Sequence, residues 1–179
     1  MLAERTATIF GLSLEDGQAR LAELADIMHA CVHDGASVGY VLPFSLDDAA
    51  AFWRDRILPS VGQGRSHLLV AEREGRLVGT VVLDHDTPPN QPHRAEVRKL
   101  LVHPGFRRLG IARALMMALE GQARRLGRSL LTLDTRTGDG AEPLYGSLGF
   151  ATVGVIPGFC VDALDTARLD STTIMYKAL

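Results

Sequence analysis

The stretch AEVRKLLVHPGFRRLGIA, residues 95–112, decides how the rest of the chain is read. Its first half predicts a buried-type strand, His103-Pro104-Gly105 closes a short loop, and a helical pattern opens at its end. At that opening Arg107, Arg108, Gly110 and Ala112 are spaced as R-R-x-G-x-A. A helix start leaves several backbone N–H groups without an intrahelical partner and carries the positive end of the helix dipole. Small residues at 110 and 112 let a phosphate approach that backbone closely, and the two arginines add charge. The expectation is an anion site suited to a pyrophosphate, at the C-terminal end of a strand.

Upstream, the three-proline segment DTPPNQPH reads as a loop, preceded by strands at 67–72 and 76–84 joined across Glu74-Gly75 as a tight hairpin. Before these, Ser45 with Asp48 three residues later is a capping box. It opens a helix whose inner face is Leu46, Ala49, Ala50, Trp53 and Ile57, ended by Pro59 and Gly62. An earlier helix over 16–33 carries Leu21, Leu24, Ala25, Met28, Cys31 and Val32 at helical spacing and stops at Asp34-Gly35. The segment GASVGYVLPF that follows is glycine-containing yet apolar, unlike a plain solvent loop, and residues 6–10 form a first short strand. Downstream, Ala112, Leu115, Met116, Leu119, Ala123 and Leu126 line one helix face that ends at Gly127. A strand at 129–134, a helix with Pro143 in its first turn, and strands at 151–157 and 172–177 complete the chain. Helices first, then a hairpin, then strand–helix–strand–helix–strand predict an α+β (mixed α/β) architecture with one parallel crossover.

A length of 179 residues fits one domain, 1–179. A net charge of −2 gives no global pull toward nucleic acid or an acidic membrane, so anion binding has to be local. Cys31 and Cys160 stand far apart without metal-ligand spacing, which predicts buried free thiols, no metal and a cytoplasmic protein. The N-terminal MLAERTATIFGLSLEDG has an early acidic residue and no apolar core, so no signal peptide is expected there. No apolar run approaches the ~20 residues that span a bilayer. The turn at 107–112 is not a P-loop, because G-x-x-x-x-G-K-[ST] is absent, nor a dinucleotide fingerprint, because the first glycine is missing.

Two longer patterns sharpen this. EVRKLLVHPGFRRLGIARALM resembles motif A of the GNAT superfamily of acetyl-CoA-dependent N-acyltransferases, with its core [RQ]-x-x-G-x-[GA]. AEPLYGSLGF resembles the motif that follows it, ending in Y-x-x-x-G-F. The resemblance implies the GNAT fold, a central mixed, mostly antiparallel sheet with helices on both faces, and acetyl-CoA as cosubstrate. It puts the pyrophosphate on Arg107, Arg108, Leu109, Gly110, Ile111, Ala112 and Arg113, and the pantetheine along Leu100, Leu101 and Val102 as an added strand. Many members carry Asn seven residues before the tyrosine, where this chain has Gly138, so a side-chain contact to pantetheine is missing. Within the family HDGASVGY, RAEVRKL, LDT, the tyrosine eleven residues after Asp134, and PGFC resemble the tabtoxin-resistance type, which acetylates the amine of a β-lactam amino-acid toxin.

The chemistry sets requirements for the residues. An alkylammonium of pKa near 10.4 is only ~0.04% neutral at pH 7, a deficit of roughly 4–5 kcal/mol, so a base is useful. The resemblance gives that role to Glu96, directly or through water, with Asp134 binding the ammonium or sharing the base role. Tyr145 would donate to the leaving thiolate, and the amides near Leu101 and Val102 would polarise the thioester carbonyl. The alternatives are an exposed strand carboxylate paired with Arg94 or Arg98 for Glu96, and an Asx-turn cap for Asp134. The expected substrate is the primary amine of a small amino-acid-like molecule, tabtoxinine-β-lactam or a similar toxin or antibiotic. A protein or peptide N-acetyltransferase is the second reading, a non-catalytic acyl-CoA-binding regulator the third. Partners are a small-molecule amine, no nucleic acid and no membrane, with the chain a monomer or a homodimer.

Overall fold

The computed structural model describes residues 7–179. Thr6 and the beginning of the N-terminal stretch read above therefore lie outside the described residues. Seven strands form one sheet: β1 (Thr8–Leu12), β2 (Ser66–Arg73), β3 (Arg76–Asp84), β4 (Arg94–Val102), β5 (Leu130–Arg136), β6 (Ala151–Val161) and β7 (Leu169–Ala178). Their spatial order is β1-β2-β3-β4-β5-β7-β6. Every neighbouring pair is antiparallel except β4 with β5. The β2–β3 turn puts Glu74 and Gly75 both at positive φ, the backbone twist that matches two-residue hairpins. Between the parallel strands runs α5 (Ile111–Arg125), the crossover that parallel pairing requires.

The sheet separates two apolar cores. One face packs Ile111, Leu115, Met116, Leu119 and Ala123 of α5 on Val81, Leu83, Ala95, Val97 and Leu131. The stripe read from the sequence is thus the buried one, starting one residue earlier, at Ile111. The other face is covered by α1 (Leu14–Ala19), α2 (Leu21–His33), α3 (Leu46–Phe52), α4 (Leu58–Gly62) and the turn between the last two; Leu24, Ile27, Met28, Phe52, Trp53 and Leu58 from these segments meet Leu68, Val70 and Leu101. Helices on both faces of a mostly antiparallel sheet is the expected α+β arrangement.

Three elements differ from the sequence expectation. The helix expected at 16–33 is two helices, broken at Arg20 (φ −110°, ψ 22°). The guanidinium of Arg20 donates to both carboxylate oxygens of Glu23 (2.7 and 2.9 Å), to Glu72, and to the Gly75 carbonyl at 3.2 Å, so tertiary anchoring to the hairpin prevails over local continuity. Pro59 does not end the second helix. A π turn over Trp53–Ile57 links α3 to α4, and the widened turn accommodates a proline that lacks an N–H and crowds the carbonyl four residues back. Lastly, β6 continues past Pro157 to Val161, because the register against β7 slips between Ile156 and Cys160 and an edge strand tolerates a missing N–H.

Candidate active site

β4 and β5 pair over three residues only, Arg94 with Leu130, Ala95 with Leu131 and Glu96 with Thr132. Beyond Thr132, β5 stays on β7 as far as Arg136–Thr172, while β4 bends away with β3. The bend is a bulge. Against β3 the register slips between Thr80 and Val82, and Lys99 adopts φ 52°, unusual for a residue with a long side chain. Thr80, fully buried, fixes the bulge by donating its hydroxyl to the Lys99 carbonyl at 3.0 Å. The parting strands leave the edge of β4 at 97–102 without a ladder partner on the β5 side. Leu100, Leu101 and Val102 form the end of that edge, Leu101 anchored in one core and its two neighbours packed on the other.

The edge leads into the turn. His103 accepts at Nδ1 from the Gly105 amide (3.1 Å), and a short 3-10 turn, Pro104–Phe106, follows. Arg108 and Gly110 then adopt φ 65° and 77°, so the backbone around Leu109 reverses twice before α5 starts. The first helical bond at this end is from Ala114 to the Gly110 carbonyl, and the amides of Ile111, Ala112 and Arg113 precede it. Gly79 on β3 sets how close this helix start lies to the sheet. A Cβ there would sit 3.0 Å from the Leu101 carbonyl, 3.1 Å from Leu115 and 3.2 Å from Ile111. The side chain of Arg107 is engaged beside the turn. It pairs with Asp34 at the end of α2 and donates to the Val102 carbonyl at 3.3 Å, because that acidic helix end lies against the end of β4. Arg108, exposed at the turn, and Arg113, bonded to Ser147 Oγ at 2.7 Å, remain as charges near it.

The proposed catalytic groups sit around the point of divergence. Glu96 is half-buried at the last paired position. Neither arginine beside it pairs with it: Arg98 bonds Asp84 at 2.8 Å, and Arg94 bonds Gln91 and Thr132. Asp134, two residues past the last β4–β5 pair, accepts from the buried Thr172 hydroxyl at 3.1 Å. Tyr145 is buried on α6 (Ala141–Ser147), its ring 5.7 Å from that of Phe150. Burial, and then the negative charge of Asp134, push its phenol well above the ordinary tyrosine range, so it stays protonated.

Lys99 is a further group at this point, and the sequence reading did not select it. Its ammonium donates to the Val38 carbonyl at 2.6 Å and lies 5.2 Å from the centre of the Phe52 ring. Burial lowers its pKa to about 8, Arg98 adds to that push, and Asp134 and Glu96 oppose it. A lysine within an apolar run carries no signal that it will occupy a bulge. Gly79 did carry one: a lone glycine inside LVGTVV is the mark of a close approach.

Two loops border the side of the cleft away from α5. Residues 35–44 are held by the bond from Lys99, by His33 Nε2 to the Phe44 carbonyl (2.8 Å), and by the Leu42 amide donating to the Ala163 carbonyl (3.0 Å). Ala163 belongs to the β6–β7 connection. There buried Asp162 accepts from the Leu164 and Asp165 amides (2.9 and 2.8 Å), bonds that hold its carboxyl down to about 2 with help from Arg168. The two loops that look remote in sequence therefore form one joined rim. Both cysteines are free; Cys31 is buried as expected and donates to the Val102 carbonyl at 3.4 Å, whereas Cys160, on the edge strand β6, is only partly buried. Among the described residues no cluster of His, Cys, Asp or Glu is arranged to hold a metal, and no helix is long and apolar enough to cross a membrane.

Residues 40–150 match the model of the acetyltransferase (GNAT) family. Human N-acetyltransferase 8 is 40% identical over 94 residues, a stretch that spans 51% of this chain and 41% of that protein. Among solved structures, the ribosomal-protein-alanine N-acetyltransferase of Brucella melitensis superposes with a TM-score of 0.76 at 25% identity, covering 96% of this chain and 99% of that one. A phosphinothricin acetyltransferase of Sinorhizobium meliloti, solved with acetyl-CoA, superposes at 0.77 with 21% identity, covering 97% and 89%. This chain belongs to the GNAT acetyltransferase family.

Proposed function

We propose that this chain, a GNAT family member, transfers the acetyl group of acetyl-CoA to the primary amine of a small amino-acid-like molecule. The observation that carries the reading is the parting of β4 from β5 at Glu96, which leaves a free strand edge running into the turn before α5. The edge has the peptide groups to pair with a pantetheine, and the turn has the amides to receive a pyrophosphate. Acetyl-CoA supplies an activated acyl group there.

This chain's residues then divide the work. Glu96, free of both neighbouring arginines, takes the proton of the acceptor ammonium, with Asp134 as a second carboxylate that holds it. Amides near Leu101 and Val102 face the developing oxyanion. Tyr145, a neutral phenol whose pKa is raised by burial and by Asp134, gives the leaving thiolate a hydrogen bond, and the thiolate takes its proton from solvent. A small acceptor is favoured by the rim that the Leu42–Ala163 bond closes across two loops. Within that class a β-lactam amino acid such as tabtoxinine-β-lactam is the first candidate. A protein N-terminus is the second reading, favoured by the 25% likeness to the Brucella enzyme.

The test is release of CoA thiol from acetyl-CoA with a panel of small amino-acid amines, β-lactam toxins and phosphinothricin among them, beside peptides with free N-termini. Faster release with the small amines is expected. Faster release with the peptides moves the assignment to the second reading, and no release with any amine leaves an acyl-CoA-binding regulator.

A further inference from the structure

Of the 19 Lys and Arg residues only two are lysines, Lys99 and Lys177. Lys177 is paired, with Glu120 at 2.6 Å. The half-buried arginines that tie segments together are paired as well: Arg20 with Glu23 and Glu72, Arg136 with Asp139, Asp162 and Asp170. Lys99 is held differently. An ammonium has three N–H donors, and here one of them bonds the Val38 carbonyl at 2.6 Å while the Phe52 ring lies 5.2 Å away. Among the described residues no carboxylate forms an ion pair with it, and its other two donors have no protein acceptor. Burial, and then Arg98, hold its pKa down to about 8, and Asp134 and Glu96 oppose them without reaching it as partners. A charge kept in such a place is unfavourable until an anion meets it. Val38 on loop 35–44 and Phe52 on α3 put the group on the acceptor side of the cleft, away from the turn at 107–112.

We propose that Lys99 is the specificity-determining residue for the acceptor, and that its ammonium takes a carboxylate that the acceptor carries. The inference rests on the transfer reading above and adds to it a requirement on the substrate. Glu96 and Asp134 form the negative pole of the acceptor side and receive the amine, and Lys99 forms the positive pole. A free amino acid carries both opposite charges within one small molecule and matches both poles. Its carboxamide, or a peptide N-terminus with an amide carbonyl in that place, offers Lys99 no charge.

Two measurements on the full chain test this, with phosphinothricin and tabtoxinine-β-lactam as probes, each beside its α-carboxamide and in the presence of CoA or acetyl-CoA. Protein labelled with ε-13C lysine shows two Cε signals, assigned by Lys177→Arg, which leaves only that of Lys99. A bound acid should move the Lys99 signal and raise its titration midpoint, the carboxamides should do neither, and Lys177 should stay in place. In thiol release the acids should be favoured over their carboxamides by about fivefold or more in kcat/KM. That ratio should fall to near one in Lys99→Gln, which removes the charge and keeps an N–H donor. The two wild-type measurements decide the matter even if that variant does not fold. A Lys99 signal unmoved by both acids overturns the proposal, and so does equal turnover of acids and carboxamides, which leaves acetyl transfer standing. A Lys99 signal moved by an acid with no thiol released supports the carboxylate site and overturns the transfer reading instead.

Discussion

On the proposed cosubstrate side of the cleft the groups on offer are peptide N–H and C=O groups: the edge of β4 past Glu96 and the first turn of α5. On the proposed acceptor side they are side chains, brought together from β4, β5, α6 and loop 35–44, whose Ser37 meets Cys160 of β6 across 123 residues of sequence. The first construction depends on a few positions where a side chain must be absent, Gly79 and Gly110 above all. The second depends on particular side chains being present. On this proposal, one half should tolerate exchange of most of its residues and keep its ligand, and the other should change its chemistry with a single substitution.

The largest expected effect separates the halves directly. Glu96→Gln should lower turnover by about 10²–10⁴-fold, the range for loss of a proton-transfer group, and leave the acetyl-CoA thermal shift intact. Normal turnover in that variant removes Glu96 from its role. Tyr145→Phe should reduce turnover by about 10²-fold, the low end of the same range, again with acetyl-CoA affinity retained. If affinity and turnover fall together, the ring matters for packing on Phe150 and not for the hydrogen bond to the thiolate.

The cosubstrate side is probed by Gly110→Val. A branched side chain at φ 77° is strained by about 1–2 kcal/mol, which should weaken acetyl-CoA roughly 5–30-fold with little change in the acceptor KM. An acceptor KM that rises equally would mean the halves are not separable.

Lys99→Met tests the join between them. Loss of the bond to Val38 should raise the acceptor KM about fivefold, the worth of ~1 kcal/mol. Since Lys99 is charged below about pH 8, the advantage of wild type over Lys99→Met should shrink as the pH passes upward through that value. A ratio that stays constant with pH assigns Lys99 a packing role only.

The smallest effect belongs to neither half. His67 and His85 stack at 5.2 Å, and burial, joined by the charges of nearby basic groups, lowers the pKa of both. A histidine whose folded pKa lies below its ordinary value stabilises the fold fully above that value, near 6.5, and loses the contribution as pH falls through the folded value. Tm should therefore decline on acidification below 6.5, less steeply in His67→Gln.

The same division explains what could be read from the sequence. The crossover, the hairpin and the turn at 107–112 follow from local periodicity and from glycine and proline positions, and they are present as expected. The departures come from tertiary contacts that leave no local mark. Arg20 breaks a well-patterned helix for the sake of Glu72 and Gly75, and a π turn absorbs Pro59. Glu96, Asp134 and Tyr145 came from resemblance, because no spacing rule brings a strand start, a strand end and a helix together. Lys99 was invisible for the converse reason: its position depends on a bulge set by Thr80 on another strand.

Gly79 has one more consequence. By admitting Ile111 and Leu115 against the bare backbone of β3, it sets the span from the turn to the strand edge, and in the proposed binding mode that span would serve as a ruler for the arm of an acyl donor. A donor cut down to its thioester end would lie along the edge and never reach the mark at the other end.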